Sequence, residues 1–366
     1  MGKRIVLFLM IISLILLIIS GCDVISTTTT TVDGTTTTST TTSTTTTSTT
    51  STTIAVSLTS VTDLTIDSII DTGNTGVIVN NGNYFYYTGW NPVANNLGVI
   101  DFTNPEDPTI DGTYAGGVGN GYGIATDGRY VYVETEGGGT DPVFSGEVIS
   151  FDFQDHSNIT LLDHTDDGYY SAYQIYYYKG YVYNVSSNII SIFDVANPSD
   201  LDYITEISTF NAYWANFQDD FIYFADELDF KVYDVSDPTD PKNDGTFSIT
   251  CYSSAVSGNY AFVGGDSGLI TALNITDHSN ISSAGTLILS DTTSHIDGEM
   301  KIHGNFLFIS DDSNFWVVDI ANPASMTEIA QVTLSNDKGW GFALSADSNY
   351  ALVADDTDIK VVKIIH

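Results

Sequence analysis

The 366-residue sequence predicts an all-β fold, a seven-bladed β-propeller of four-stranded antiparallel blades closed by an N-terminal strand. Three observations predict it. An apolar strand ending on Asp or Asn recurs along the chain. An aromatic-rich strand opening after a tight turn precedes each copy. The last copy lacks the strand that should follow it.

The repeated unit reads Val99-Ile100-Asp101-Phe102-Thr103-Asn104-Pro105, then Ile192-Phe193-Asp194-Val195-Ala196-Asn197-Pro198, Val232-Tyr233-Asp234-Val235-Ser236-Asp237-Pro238 and Val317-Val318-Asp319-Ile320-Ala321-Asn322-Pro323. Two variants place His where Pro stands, Ser150-Phe151-Asp152-Phe153-Gln154-Asp155-His156 and Ala272-Leu273-Asn274-Ile275-Thr276-Asp277-His278. A truncated copy, Val361-Val362-Lys363-Ile364, ends the chain. Positions 101, 152, 194, 234, 274, 319 and 363 are spaced by 51, 42, 40, 40, 45 and 44, a period typical of propeller blades.

Upstream of each copy, second strands open at Tyr84, Tyr130, Tyr181, Phe221, Tyr260, Phe306 and Tyr350. Turns such as Asn81-Gly82-Asn83 and Ser257-Gly258-Asn259 precede them, Gly supplying the positive φ that a tight hairpin requires. An inner strand before each turn and an outer strand after each Asx-Pro complete four strands per unit. The chain stops at His366 before a seventh outer strand, whereas Ile54 to Ile70 holds strand-like sequence with no blade of its own. A strand within about Val56–Ile70 is therefore expected to complete the last blade and remove the open edge.

Val232 to Pro238, followed by Val256-Ser257-Gly258-Asn259-Tyr260-Ala261-Phe262-Val263, resembles the LVIVD-repeat family, and the resemblance runs over about Thr75 to Ile364. It implies a bacterial or archaeal surface propeller and no particular activity. His156, His278 and Lys363 depart from the family pattern at the turns.

Residues 1–22 read as a lipoprotein signal peptide. Lys3 and Arg4 precede an aliphatic run from Ile5 to Ile19, and Ile19-Ser20-Gly21-Cys22 resembles a lipobox whose cysteine takes lipid. The apolar run is short for a span of roughly 20 residues, the alternative reading. Residues 23–53 are a Thr/Ser-rich tether, expected to be disordered for want of apolar surface and to span roughly 30 Å, with or without O-linked sugar. Residues 54–366 are the propeller. The expected location is the cell envelope, facing outside the cytoplasm, with the membrane reached through lipidated Cys22.

Forty-six Asp and Glu against 10 Lys and Arg give a net charge of −36, which speaks against nucleic acid or an anionic membrane surface as partner. One cysteine remains after Cys22, namely Cys251, so no disulfide framework exists; its apolar context reads as a buried thiol.

The acidic hairpins Asp226-Glu227-Leu228-Asp229, Asp311-Asp312-Ser313-Asn314 and Asp355-Asp356-Thr357-Asp358 offer oxygen ligands suited to Ca²⁺, but none fits a twelve-residue calcium loop, and Asp and Asn suit such turns in any case. The repeated Asp-His-Ser-Asn-Ile at 155–159 and 277–281 stands at the turn position, which favours turn residues over half a catalytic site. His295, Asp297, Glu299 and His303 cluster in sequence, yet strand alternation would split them. Asn158, Asn184, Asn274 and Asn280 head glycosylation triplets.

The face where the inner strands begin gathers Trp90, Tyr169, Tyr170, Trp214, His295 and Trp340 among carboxylates, the residues expected to contact a ligand. Tyr122, Tyr173, Tyr213, Tyr252 and Phe342 share one register, eight residues before their second strands, and read as packing between blades. Trp90, Trp340 and the hairpin 134–146 escape that register. No catalytic motif is present in the sequence. The expected function is a non-catalytic binding or scaffolding module for protein or glycan ligands, the alternative being a glycan-acting hydrolase or lyase with its site on this face.

Overall fold

The computed structural model describes residues 25–32, 35–42, 60–72, 75–89, 96–116, 118, 120–136, 147–166, 172–290, 295–311, 314–334, 339–355 and 358–366. The chain forms two compact units, Met1–Ile54 and Ala55–His366.

In the first unit, β1 (Ile25–Val32) pairs antiparallel with β2 (Thr35–Thr42), from Ile25↔Thr42 to Val32↔Thr35. The tether was expected to lack structure, and this hairpin departs from that expectation. Its sequence carries the reason: both strands are runs of β-branched Thr, which suit paired strands. Two strands with no third layer are marginal in water, so the pairing adds little stability.

The second unit is a ring of seven four-stranded antiparallel sheets, and the expected propeller is the observed fold. Six blades run inner to outer in chain order, over residues 77–113, 120–166, 172–208, 215–251, 253–288 and 300–333. The seventh takes three strands from residues 339–365 and its outer strand from β3 (Asp63–Asp71). Asp63 pairs with Ile365 and Asp71 with Asp358. Thr62 N also donates to Ile365 O at 2.7 Å. The N-terminal closure inferred from the strand count is thus the one observed.

Strand alternation builds the core at the seams between blades. In blade 1, Phe85, Tyr87 and Ile100 pack against Leu352, Ile359 and Val361 of blade 7. Their alternate neighbours Tyr86, Leu97 and Val99 pack against Ile124, Val131 and Ile149 of blade 2. Among the described residues seven such clusters occur, one per seam.

The repeated Asp is explained by its turn. The Oδ1 of Asp101, Asp152, Asp194, Asp234 and Asp319 each accepts from the backbone N–H two residues on at 2.8 Å, an Asx turn that ends the third strand. Asn274 does the same at 3.0 Å. In each of the first six blades a bulge in the outer strand follows at the same register. The seventh blade repeats it on β3, between Ile66 and Ser68.

Candidate functional site

The upper face carries the connections between blades and the hairpins joining second to third strands. Its frame is set by buried carboxylates at one repeat position. Asp226 Oδ1 accepts from Phe210 N and Asn211 N, at 2.6 and 3.2 Å. Asp311 Oδ1 accepts from Asp297 N and Gly298 N, at 3.1 and 3.0 Å. Each Asp thereby fixes the segment leading into its own inner strand. Asp226 also pairs with Lys231. Lys360 is shared between Asp355 (3.4 Å) and Asp358 (2.9 Å).

Those contacts answer what the described hairpin residues do: backbone amides occupy Asp226 and Asp311, and lysines pair with Asp226, Asp355 and Asp358, whereas Asp312 and Asp356 lie outside the described residues. Among the described residues no three His, Cys, Asp or Glu side chains converge as a metal site would need.

Two aromatic pairs sit on this frame. Tyr173 of blade 3 packs on Tyr213 of blade 4 at 4.4 Å, and Tyr252 on His295 at 4.5 Å, both at 39°. Hydrogen bonds hold the rings. Asn211 Nδ2 donates to Tyr213 Oη (2.9 Å) and Glu227 Oε2 (2.7 Å). The hydroxyl of Tyr252 donates to Asp266 Oδ1 at 3.0 Å, and its phenol is pushed up to about 12, chiefly by burial. The Tyr173–Tyr213 pair joins adjacent blades, as the shared register implied; all of these tyrosines stay partly exposed. Phe210 and Leu228, 58% and 55% exposed, stand on the same face.

Trp214 and His295 meet at Asp297. His295 Nε2 lies 3.1 Å from Asp297 Oδ2, and Trp214 Nε1 donates to Asp297 O at 2.6 Å. His295 is partly exposed, but Trp214 is only 5% exposed. Trp214 was expected to contact ligand; with its N–H bonded and its ring covered, it is instead a packing residue. Glu299 does not join His295. It is buried beside Lys301 (2.7 Å), accepts from Phe342 N (2.8 Å), and burial holds its carboxyl above the usual range. His303 closes the inner strand Met300–His303 at its far end.

Trp90, Tyr169, Tyr170, Cys22 and residues 137–146 lie outside the described residues. The backbone of Trp340 belongs to the strand Gly339–Leu344, and its side chain is outside the description. Of the glycosylation triplets, Asn158 and Asn280 are exposed, whereas Asn184 is buried.

The lower face carries the Asx turns. Grooves open there between blades 1 and 2, 5 and 6, and 7 and 1. The sequence reading placed every candidate on the upper face and missed them. His at the Pro position was the visible signal of the groove between blades 1 and 2 alone; the other two carry Pro323 and Pro105.

Fold and faces define a seven-bladed β-propeller that presents side chains from many blades on two surfaces. Residues 217–248, 253–290 and 298–333, which correspond to blades 4, 5 and 6, match the LVIVD repeat, so the propeller carries LVIVD repeats over those three blades. No curated protein matches the sequence. Among solved structures, it is similar to the WD40 β-propeller domain of Doa1 (TM-score 0.63, 10% identity, 82% of this chain and 97% of that one). It is also similar to a chain in a crystal structure of the mitotic checkpoint complex (TM-score 0.61, 13% identity, 85% and 93%). At such identities the similarity is one of fold.

Proposed function

We propose that this protein is a lipid-anchored envelope protein whose propeller is a non-catalytic binding or scaffolding module, taking a protein or glycan ligand on its upper face. The reading rests on one arrangement: the partly exposed aromatic pairs Tyr173–Tyr213 and Tyr252–His295, bracketed by Glu227, Asp266 and Asp297, beside exposed Phe210 and Leu228. Aromatic and aliphatic anchors ringed by hydrogen-bonding groups suit an interface, and the rings also suit sugar faces. The signal and Cys22 support the anchor, and the Thr-rich segment supports display away from the membrane.

Crosslinking on intact cells and a glycan array probed with the full chain test the binding reading. Capture that Phe210→Ala with Leu228→Ala abolishes is expected; capture indifferent to that change overturns the upper-face assignment. The partly exposed His295–Asp297 pair is the arrangement that favours the hydrolase or lyase reading, and product release from an array glycan, lost in His295→Ala, would establish it. Radiolabelled palmitate incorporated by the wild type and not by Cys22→Ala tests the anchor.

A further inference from the structure

Two seams of the ring are built differently from the rest. Where blade 2 meets blade 3 and blade 5 meets blade 6, the bulged outer-strand residues are Leu162 and Ala284, and the following turns carry Pro198 and Pro323. Where blade 1 meets blade 2 and blade 4 meets blade 5, the bulged residues are Asp111 and Asp244, and the turns carry His156 and His278. An aspartate alone does not bring the histidine, since Asp67 of blade 7 is followed by Pro105. Each His Nδ1 lies 2.6 Å from its Asp Oδ2. Each imidazole stands edge-on to a ring of the preceding blade, Tyr84 or Phe221, at 4.6 Å. The seams are tight: a Cβ on Gly112 or Gly245 would run into the carbonyl oxygen of His156 or His278.

The copies differ in one respect. At the 4–5 seam, Tyr223 Oη lies 3.2 Å from His278 Nε2, and Gln218 spans the gap to Gly258 through both its amide atoms, at 2.7 and 2.9 Å. That seam is satisfied within itself. At the 1–2 seam the shorter Asn81 donates to Gly128 O and to Tyr86 Oη, both at 2.7 Å. Tyr86 is thus drawn to Asn81, and among the described residues His156 Nε2 has no hydrogen-bond partner. It lies in a groove of about 690 Å³ lined by Asn81, Tyr84, Tyr86, Arg129, Phe153 and His156, a size suited to a small ligand.

We propose that this groove is a binding site for a neutral saccharide. A carboxylate on Nδ1 holds a proton there and leaves Nε2 turned to the groove, where it can hydrogen-bond a sugar hydroxyl. The half-buried ring of Tyr84 offers apolar surface for the C–H face of the sugar. Arg129 gives Nε and Nη2 to Asp152, at 3.3 and 2.6 Å, and keeps further N–H donors for ring oxygens. The neighbouring carboxylates are taken: Asp111 by His156, Asp152 by Arg129, and Asp155 by the N–H and hydroxyl of Ser157. A cation therefore finds no free anionic pair, and an anion meets a chain of net charge −36.

The test is an array of neutral mono- to hexasaccharides probed with the full chain and with His156→Pro/Asp111→Leu, which rebuilds the seam as blades 2 and 3 have it. Binding by the wild type, weakened roughly tenfold or more in the rebuilt seam, is expected for the loss of a ligand hydrogen bond and its supporting geometry. His278→Pro/Asp244→Leu should leave that binding unchanged. No binding to any member, or equal binding by wild type and rebuilt seam, overturns the proposal. So does loss of binding in the blade 4–5 variant alone. Should the rebuilt seam unfold, ¹⁵N spectra of the histidine rings decide: the hit saccharide must move the Nε2 resonance of His156 and leave His278 in place, and a spectrum without that shift overturns the site.

Discussion

Trp214 Nε1 donates to the carbonyl oxygen of Asp297 at 2.6 Å, joining the connection into blade 4 to the connection into blade 6 across blade 5. Non-neighbouring blades are tied by one indole. Trp214→Phe keeps most of the packing and loses the bond, and should cost about 1 kcal/mol in urea unfolding. Trp214→Ala should cost about 3–5 kcal/mol, because a large ring that is only 5% exposed leaves a cavity. An alanine variant within 1 kcal/mol of wild type would show the tie to be dispensable.

Ring closure by β3 makes the N-terminal segment part of the core. Val61 and Leu64 are buried with blades 6 and 7, and Ile70 in the seam of blades 7 and 1. Leu64→Ala should destabilise by about 2–5 kcal/mol. Deleting residues 54–70 should leave an unpaired strand edge at the last blade, with early melting and concentration-dependent association in sedimentation runs. Unchanged melting in the deletion would mean that the ring does not depend on its N-terminal strand.

How far the sequence discloses this molecule depends on whether a feature repeats. The blades, the Asx turns and the closing strand follow from period and count, because each blade solves the same burial problem with the same pattern. The β1–β2 hairpin escaped because its apolar content is low, although its Thr runs favour strand. Trp214 escaped because its partner is a backbone carbonyl 83 residues away. The histidines were legible as odd turn residues, but their role depends on which outer strand faces them. That pairing, His156 with Asp111 and His278 with Asp244, exists only once blades are placed side by side.

Lys360 is nearly fully buried between Asp355 and Asp358 in blade 7. Lys360→Met keeps the volume of the stem and takes the ammonium away from Asp355 in a site with no solvent access. The loss should be about 3–5 kcal/mol, the cost of breaking a buried pair from one side. Lys360→Met/Asp355→Leu should recover much of it. A double variant no better than the single one would show that packing, not the lost ion pair, sets the penalty.

Cys251 is buried at the end of the outer strand of blade 4, and burial pushes its thiol up to about 12. A thiol held protonated and covered reacts neither as nucleophile nor with a bulky reagent. Ellman's reagent at pH 8 should leave it unmodified in the native chain and titrate it within seconds in 6 M guanidinium. Rapid native labelling would show that the 4–5 seam opens on the timescale of the assay.

Glu299 carries the opposite pH dependence from the carboxylates of the Asx turns. Burial raises its carboxyl above the ordinary value of 4.5, despite Lys301 and the N–H of Phe342. The folded state then binds this proton at pH values where the unfolded chain has released it. Stability from this group is fully present below 4.5 and is lost as pH rises through the raised value. Asp101, Asp152 and Asp234 are held low by their side-chain partners Thr103, Arg129 and Ser236, so their stabilisation appears above the ordinary aspartate value. Comparing wild type with Glu299→Gln cancels those aspartates, since both chains carry them. The amide keeps an acceptor for Phe342 N and does not ionise. The stability of Glu299→Gln relative to wild type should therefore rise as pH is taken upward from 4.5 toward neutrality. A difference independent of pH in parallel urea titrations would mean that Glu299 titrates in the fold as it does in the unfolded chain.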